Sequence, residues 1–279
     1  MSDNSLFELP FFSIIELSGN DAETFLQSQL CSDVGKLGNT SCQFSAWCNP
    51  KGRVIANFIL YKSETNFNLI VSKDLTDTIL KRFQMYVLRA DVTFKDKTNE
   101  LKMIGLRAPS LDIDNILVPD KDQYISHSED LSVIRIADKL KRVLIVGPHY
   151  SIDELLLKLE KDFTRQAPQL WQRNDIEAKL PWITGNTSES FLPQELNLEH
   201  LGGLSYDKGC YPGQEIIARV HYRGNINKGL HSFCTSADNL PASGTKVHMP
   251  GTDDGSGIIV NVVKIADKEY RLLVVSETI

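Results

Sequence analysis

The pattern of hydrophobic and polar residues at the start of the chain predicts an α+β arrangement. The apolar run 11–17 is typical of a short strand, and it ends at Ser18-Gly19-Asn20. Asn20 or Asp21 then precedes apolar residues at helical spacing, which predicts a helix over about 22–30. A second helix is predicted after Asp74, with an apolar stripe that reaches Leu88. Four more strands are predicted at 43–47, 53–61, 67–72 and 90–94. A turn is predicted at 49–52 between the first two, and the second and third are predicted to form a hairpin.

The rest of the chain alternates regular and irregular stretches. Strands are predicted at 131–137 and 141–146, followed by a helix over about 152–163. Segment 113–130 is largely polar and is predicted to be a loop. Residues 185–229 are interrupted by glycine and proline, which is typical of positioned functional loops. The tail, 230–279, alternates short apolar runs with turns and predicts a small β-barrel.

Composition and charge restrict the classes of function. The 279 residues are 42% hydrophobic and 24% charged, which is typical of a globular protein of about two domains. The net charge of −6 is uneven, because segment 208–228 has four basic residues and one acid. This segment therefore carries +3 and the remainder −9. The acidic remainder argues against strong direct nucleic-acid binding, whereas the basic segment indicates one small anion site.

Targeting signals and cysteine usage predict a cytoplasmic protein with no membrane association. No run approaches the ~20 apolar residues of a membrane helix. Segment 1–20 has acids but no basic residue, unlike a signal or transit peptide. The five cysteines form no CxxC pair, and the histidines lack local metal-ligand spacing. We therefore expect reduced thiols and no metal site.

The densest cluster of reactive residue types is 206–215. Its two glycines permit close backbone approach and positive φ, and exposed N–H groups there suit a carboxylate or phosphate. Lys208 lies beside Cys210 and is expected to favour the thiolate. A helix that starts near Gln214 would place Arg219 and Arg223 on one face, but Val220 and Tyr222 also permit a strand. The alternative interpretation is a turn with a buried cysteine and solvated basic residues.

Segment 208–215 (KGCYPGQE, here called the signature motif) resembles the signature of the YgfZ-type folate-binding proteins. These are relatives of the glycine cleavage T-protein, an aminomethyltransferase, and they assist iron–sulfur cluster assembly. Further segments of the family agree in the same order, and the match runs over about residues 10–230. These segments are 21–34, 49–53, 85–92 and 192–197.

The resemblance implies an α+β fold in which three domains form a ring around a folate-binding cavity. Two α+β domains and a small C-terminal β-barrel make up this T-protein-like ring. We place the parts at 1–105, 106–228 and 229–279, and the first part can be discontinuous. The resemblance also implies tetrahydrofolate or a derivative as cofactor.

The resemblance assigns roles to single residues. Glu195 would bind the pterin, since a carboxylate can accept both N–H groups of a guanidine-like edge. Arg219 or Arg223 would hold the negatively charged glutamyl tail. Lys208 and Cys210 would be the functional, candidate catalytic, centre. The implied folate contacts together are Glu195, Asn57, Arg219, Arg223 and Tyr206.

One departure from the T-protein argues against aminomethyl transfer. The T-protein has two aspartates after the glycine turn, one of them catalytic, and this chain has Ala56 and Asn57 there. Neutral Asn57 can position folate but cannot act as a base. We therefore predict an accessory protein that binds tetrahydrofolate and serves iron–sulfur proteins, indirectly supporting tRNA modification.

Two alternatives belong to other classes of function. The first is a folate-dependent one-carbon (aminomethyl) transferase, in which Asp33, Asp207 or Glu195 replaces the missing base. The second is a cysteine-nucleophile enzyme, in which His221 acts as the base for Cys210.

Overall fold

The computed structural model describes residues 4–109, 111, 113, 116–136, 139, 141–224, 227–251 and 255–277. Within these ranges the chain forms five α-helices and fifteen strands. The helices are α1 (Ala22–Gln29), α2 (Thr76–Tyr86), α3 (His149–Leu159), α4 (Pro168–Glu177) and α5 (Gln214–Arg223). The strands are β1 (Ser5–Glu8), β2 (Phe12–Ser18), β3 (Cys42–Cys48), β4 (Val54–Ser63), β5 (Asn66–Ser72), β6 (Thr93–Asp96), β7 (Leu101–Arg107), β8 (Ile125–Ser128), β9 (Leu131–Arg135), β10 (Arg142–Pro148), β11 (Thr164–Gln166), β12 (Lys228–Ser236), β13 (Lys246–His248), β14 (Ser256–Ala266) and β15 (Glu269–Glu277).

One compact unit consists of Met1–Ala22, Lys36–Gln43 and Ile59–Trp171. It contains a six-stranded sheet of order β11-β1-β7-β10-β9-β8, antiparallel except for the parallel pair β1/β11. Helix α3 buries its apolar face in a core shared with this sheet, because leucines and isoleucine recur at helical spacing. The predicted strands at 131–137 and 141–146 and the predicted helix at 152–163 are confirmed as β9, β10 and α3, with boundaries shifted by at most four residues.

A five-stranded sheet has the order β3-β4-β5-β2-β6. Strands β4 and β5 are joined by a tight turn, with Ser63 opposite Asn66 and Lys62 opposite Phe67. This confirms the predicted hairpin. Strand β2 lies next to β5, and its predicted position at 11–17 is confirmed within one residue.

Two predictions for the segment after residue 75 are wrong in their bounds. The predicted apolar stripe reaches Leu88, but α2 ends at Tyr86, because Val87 is extended with φ −85° and ψ 99°. Leu88 is consequently 88% exposed. The strand predicted at 90–94 begins only at Thr93, because hydrogen bonds to Asp21 hold Asp91 outside the sheet. Asp21 Oδ2 accepts from the Asp91 N–H at 2.8 Å, and Asp91 O accepts from the Asp21 N–H at 3.2 Å.

The segment 113–130 contains a strand, β8, that its polar composition does not predict. Strand β8 pairs with β9, and Ile125 is only 3% exposed. The Ile125 N–H also donates to Thr40 O at 3.1 Å. The prediction of a loop is therefore wrong for 125–128, where long-range pairing outweighs the polar composition.

The second compact unit consists of Glu23–Gly35, Phe44–Phe58 and Gln172–Ile279. Its C-terminal part is an antiparallel sheet of order β12-β15-β14-β13, with a small core that includes Met249, Ile259 and Leu272. The predicted β-barrel is thus a curled four-stranded half-barrel, and two register shifts in β14 mark its irregular bends.

The two units are both discontinuous in sequence, and the predicted three-part division at 105/106 and 228/229 stays a prediction. None of the helices in the described ranges combines the length and the hydrophobicity that crossing a bilayer requires.

Candidate functional site

The signature motif leads directly into helix α5, in the second unit. The helix begins at Gln214, as the sequence predicts, and Gly213 precedes it with φ +82°. A Cβ atom on Gly213 would lie 2.6 Å from both Asn49 O and the Cα of Gly52. Only glycine fits this position, because it needs both positive φ and backbone contact. The motif is therefore packed directly against the turn at 49–52.

That turn joins β3 to β4 and fixes the direction of Arg53. Asn49 Oδ1 accepts from the Lys51 N–H at 2.9 Å and from the Arg53 N–H at 3.0 Å, and Asn49 O accepts from the Gly52 N–H at 2.9 Å. These bonds form an Asx-type turn, which explains why asparagine and glycine occupy these positions. The predicted turn at 49–52 is confirmed.

The carboxylate of Glu195 is nearly enclosed, and its side chain is one-tenth exposed. Its Oε2 accepts from the Leu192 N–H at 2.8 Å and from the Arg53 guanidinium at 3.2 Å. Its Oε1 lies 4.0 Å from Lys228 Nζ. The Arg53 guanidinium also donates to Ser190 O at 3.0 Å. Two cations therefore compensate the charge of Glu195, while Oε1 keeps lone pairs for a further donor.

Glu195 lines a cavity of about 590 Å³ within the second unit. The cavity combines an apolar wall that includes Phe191 and Met249 with hydroxyls of Ser190, Ser256 and Ser276. Its charged lining residues are Arg53, Lys228, Lys246, Glu195 and Glu277. This volume and mixture suit a small molecule with an aromatic part and an anionic part.

Lys208 is held by the backbone on both sides of Cys31. Its Nζ donates to Leu30 O at 2.7 Å and to Ser32 O at 2.8 Å. Burial lowers the pKa of the Lys208 ammonium to about 8, although the nearby Cys31 thiol and Asp33 carboxylate oppose this. Lys208 therefore anchors the start of the signature motif to segment 30–32.

Cys210 is exposed, two residues beyond this anchor. The predicted effect of Lys208 on the Cys210 thiol stays a prediction. Arg219 and Arg223 lie four residues apart on α5, both exposed, as the helical alternative predicted.

His221 belongs to a stacked aromatic cluster. Its ring lies 3.9 Å from the Tyr206 ring at an interplanar angle of 21°, with the Tyr222 ring at its edge. Its Nδ1 lies 3.0 Å from Glu199 Oε1. Burial and the Glu199 charge raise the pKa of the Tyr206 phenol. The role of His221 as a base for Cys210 stays a hypothesis, whereas its observed contacts are with Glu199 and the two tyrosines.

Beneath the signature motif lie two buried thiols, Cys31 and Cys48. Cys31 Sγ accepts from the Ala46 N–H at 3.3 Å and donates to Gly203 O at 3.2 Å. The cysteine prediction of reduced thiols agrees with this arrangement, since all five cysteines are free.

Asn57 is buried and fully engaged with the backbone. Its Nδ2 donates to Pro181 O at 2.8 Å, and its Oδ1 accepts from the Ile183 N–H at 2.7 Å. A folate contact through Asn57, as the resemblance implies, would have to share these groups. That role stays a prediction, whereas the position of segment 181–183 clearly depends on Asn57.

Comparison with known proteins shows what this chain is similar to. The family model of the GCVT N-terminal domain matches residues 2–112. The tRNA-modifying protein YgfZ of Enterobacter sp. (strain 638) is 28% identical over 277 residues, covering 97% of this chain and 85% of the relative. The YgfZ of Hamiltonella defensa is 27% identical, covering 93% of this chain and 81% of that relative. The chain is similar to the YgfZ proteins over most of its length.

The fold agrees with this relationship. The glycine cleavage system aminomethyltransferase T of Bartonella henselae superposes with a TM-score of 0.71, covering 99% of this chain and 79% of that one. Its sequence identity of 14% limits the comparison to the fold. The predicted α+β fold of the T-protein type is confirmed.

The cavity contains residues that the sequence did not single out. Arg53 was recognised only as part of a turn, and Lys228 only as the end of the basic segment. Lys246 lies in the tail, where no motif marks it. Lys246 lies on β13, and its place in the cavity lining depends on the pairing of β13 with β14, which no local pattern records.

Proposed function

We propose that the protein binds tetrahydrofolate in the cavity beside Glu195 and acts as an accessory protein in iron–sulfur cluster assembly or repair. Through iron–sulfur enzymes it would indirectly support tRNA modification. The observation that carries this proposal is the nearly enclosed carboxylate of Glu195 in a cavity with three cations. The relationship to proteins named tRNA-modifying protein YgfZ supports the biological context.

The chemistry of the cavity matches the two ends of folate. The guanidine-like edge of the pterin has N–H donors, which the free lone pairs of Glu195 Oε1 can accept. Phe191 and Met249 provide apolar contact for a ring. The glutamyl carboxylates need cations, and Lys246 lines the same cavity as Glu195. Lys246 therefore joins Arg219 and Arg223 as a candidate for the tail.

The first prediction concerns Glu195. Glu195→Gln removes the charge and replaces an acceptor oxygen with an amide donor, so tetrahydrofolate affinity is expected to fall by about 10- to 100-fold. Calorimetric titration, with tryptophan fluorescence as a second signal, measures the Kd. Glu199→Gln is the matched control, because Glu199 pairs with His221 and does not line the cavity. Wild-type affinity in Glu195→Gln would contradict this binding mode, and no titration signal with the wild-type protein would contradict folate binding itself.

The second prediction concerns Cys210. We expect Cys210→Ala to lower the activity of iron–sulfur enzymes in a null strain to the level of the strain without the protein, because an exposed thiol in the signature motif can contact iron or a partner. Cys234→Ala is the control, since Cys234 is the other exposed cysteine. Circular dichroism of both purified variants checks that they fold. Full complementation by Cys210→Ala would show that this thiol is dispensable.

A further inference from the structure

We propose that the C-terminal end of helix α2 is a docking surface for a partner protein whose apolar pocket is rimmed by carboxylates. The surface consists of Lys81, Met85, Tyr86, Leu88 and Arg89 and is here called the α2 surface. It lies in the first compact unit and includes none of the described residues that line the Glu195 cavity. The inference therefore does not depend on the proposed folate binding.

The α2 surface concentrates apolar side chains that the core does not use. Leu88 and Met85 are the most exposed large hydrophobic side chains in the described part of the chain, at 88% and 75%, and Tyr86 between them is 49% exposed. Helix α2 packs inward through Ile79 and Phe83, which are fully buried. Met85 follows Phe83 by two residues and so points to the opposite side of the helix. Single exposed apolar residues are ordinary, whereas three in four positions indicate an interaction site.

The α2 surface is held in place at both of its ends. It continues helix α2 on one side, and on the other side Asp91 is bound to segment 19–21. Asp91 Oδ2 accepts from Asn20 Nδ2 at 2.8 Å, and Asp21 Oδ2 accepts from the Asp91 N–H at 2.8 Å. A Cβ atom on Gly19 would collide with Asp91 O, so the two backbone segments are in close contact. A surface fixed in this way loses little conformational freedom when a partner binds.

The charges around the apolar residues indicate an acidic partner. The segment from Lys81 to Arg89 has three basic residues and no acid, although the whole chain carries −6. Lys81 is exposed and lies four residues before Met85, so the two share a face of the helix. Arg89 is exposed directly after Leu88. Carboxylates of a partner would pair with both cations while its apolar pocket covers Met85 and Leu88.

A partner protein fits this surface better than a bilayer or a second copy of the chain. Helices that lie on a bilayer present an apolar stripe along their whole length, whereas the stripe of α2 is buried. A symmetric dimer through this surface would bring the basic rims of two copies together. A compact apolar centre with a cationic rim, in which methionine, tyrosine and arginine occur, is typical of protein–protein interfaces.

The test places a photo-cross-linking residue on the surface of the full chain. Leu88 is replaced by p-benzoylphenylalanine, and Leu157 on α3, which is 70% exposed, is replaced in the matched control. Both variants are expressed in a null strain and irradiated, and mass spectrometry maps the cross-linked peptides. The Leu88 variant is expected to cross-link to an acidic segment of one protein, at least fivefold above the control. Adding Lys81→Glu and Arg89→Glu is expected to lower this cross-linking at least tenfold.

Binding of the mapped partner to the purified protein tests the two parts of the surface separately. Met85→Ser with Leu88→Ser is expected to raise the Kd measured by calorimetry at least tenfold, whereas Leu157→Ser retains the wild-type Kd. Lysines in place of the partner's acids are expected to restore binding to the variant with Lys81→Glu and Arg89→Glu. Circular dichroism checks that all variants fold, and their exposed positions predict unfolding midpoints close to wild type.

Other occupants of the α2 surface give distinguishable results, each of which would overturn the proposal. Cross-links between two copies of the chain would indicate self-association, and cross-links to RNA would indicate a nucleic-acid site. Cosedimentation with phosphatidylglycerol vesicles, without a protein cross-link, would indicate a membrane site. Equal cross-linking from Leu88 and Leu157, or a mapped partner segment without acids, would show that the surface does not select an acidic protein.

Discussion

Gly213→Ala is expected to lower the free energy of unfolding of the second unit by about 3 kcal/mol or more. The φ of +82° costs a non-glycine residue about 1–2 kcal/mol. The added Cβ would also lie 2.6 Å from Asn49 O and from Gly52 Cα, which are backbone atoms and cannot rotate away. The turn at 49–52 must therefore move, and with it Arg53, which pairs with Glu195. Urea denaturation followed by circular dichroism measures the loss.

Gly209→Ala is the matched control in the same motif. A Cβ on Gly209 meets no atom within 4 Å, and its φ is not positive. We expect a change within about 0.5 kcal/mol, as for most surface substitutions. Equal stability of the two variants would show that the signature motif is not packed rigidly on the turn. A fall in tetrahydrofolate affinity confined to Gly213→Ala would link that packing to the Glu195 cavity.

Local patterns predict those elements whose hydrogen bonds and core contacts come from nearby residues. The hairpin β4–β5 follows from its turn residues and the apolar runs beside them, within about fifteen residues. Helix α5 is only one of two interpretations of its segment, since Val220 and Tyr222 also permit a strand. The errors occur where distant residues decide. The predicted strand at 90–94 is shortened because Asp91 bonds to Asp21, seventy residues earlier, and no local pattern records such a contact.

The same distinction applies to the site. The segment 192–197 identifies Glu195 because its neighbours in sequence form a recognisable block. The position of Lys246 depends instead on the strand order of the C-terminal sheet. The position of Lys208 depends on backbone carbonyls, which every residue type has, so no side-chain pattern marks these acceptors.

Asn57→Asp is expected to destabilise the protein by about 3–5 kcal/mol at neutral pH, although the change replaces one nitrogen by oxygen. Asn57 is 1% exposed, and its amide donates to Pro181 O at 2.8 Å. A carboxylate there faces the Pro181 carbonyl oxygen, and the two hydrogen-bond partners of the side chain, Pro181 O and the Ile183 N–H, supply no compensating cation. The cost explains why a neutral amide suits this position, where the T-protein resemblance implies an acid.

The pH dependence of Asn57→Asp identifies the carboxyl group as the cause. Burial and the facing Pro181 carbonyl raise the folded-state pKa of the new carboxyl group above its unfolded value of about 4. The folded state then binds more protons, so the stability relative to wild type is highest below about pH 4 and falls as pH rises through the folded-state pKa. Urea denaturation from pH 4 to 8 measures the free energy of unfolding of the variant and of the wild type.

Asn57→Ala is the control, because it removes both hydrogen bonds without adding a titrating group. Its loss of stability relative to wild type should not vary with pH. A pH-independent deficit in Asn57→Asp would show that the buried pocket admits water and solvates the charge. In that case, an acid at position 57 would be tolerated, and incubation of the variant with tetrahydrofolate and an aminomethyl donor would test whether aminomethyl transfer lacks only this group.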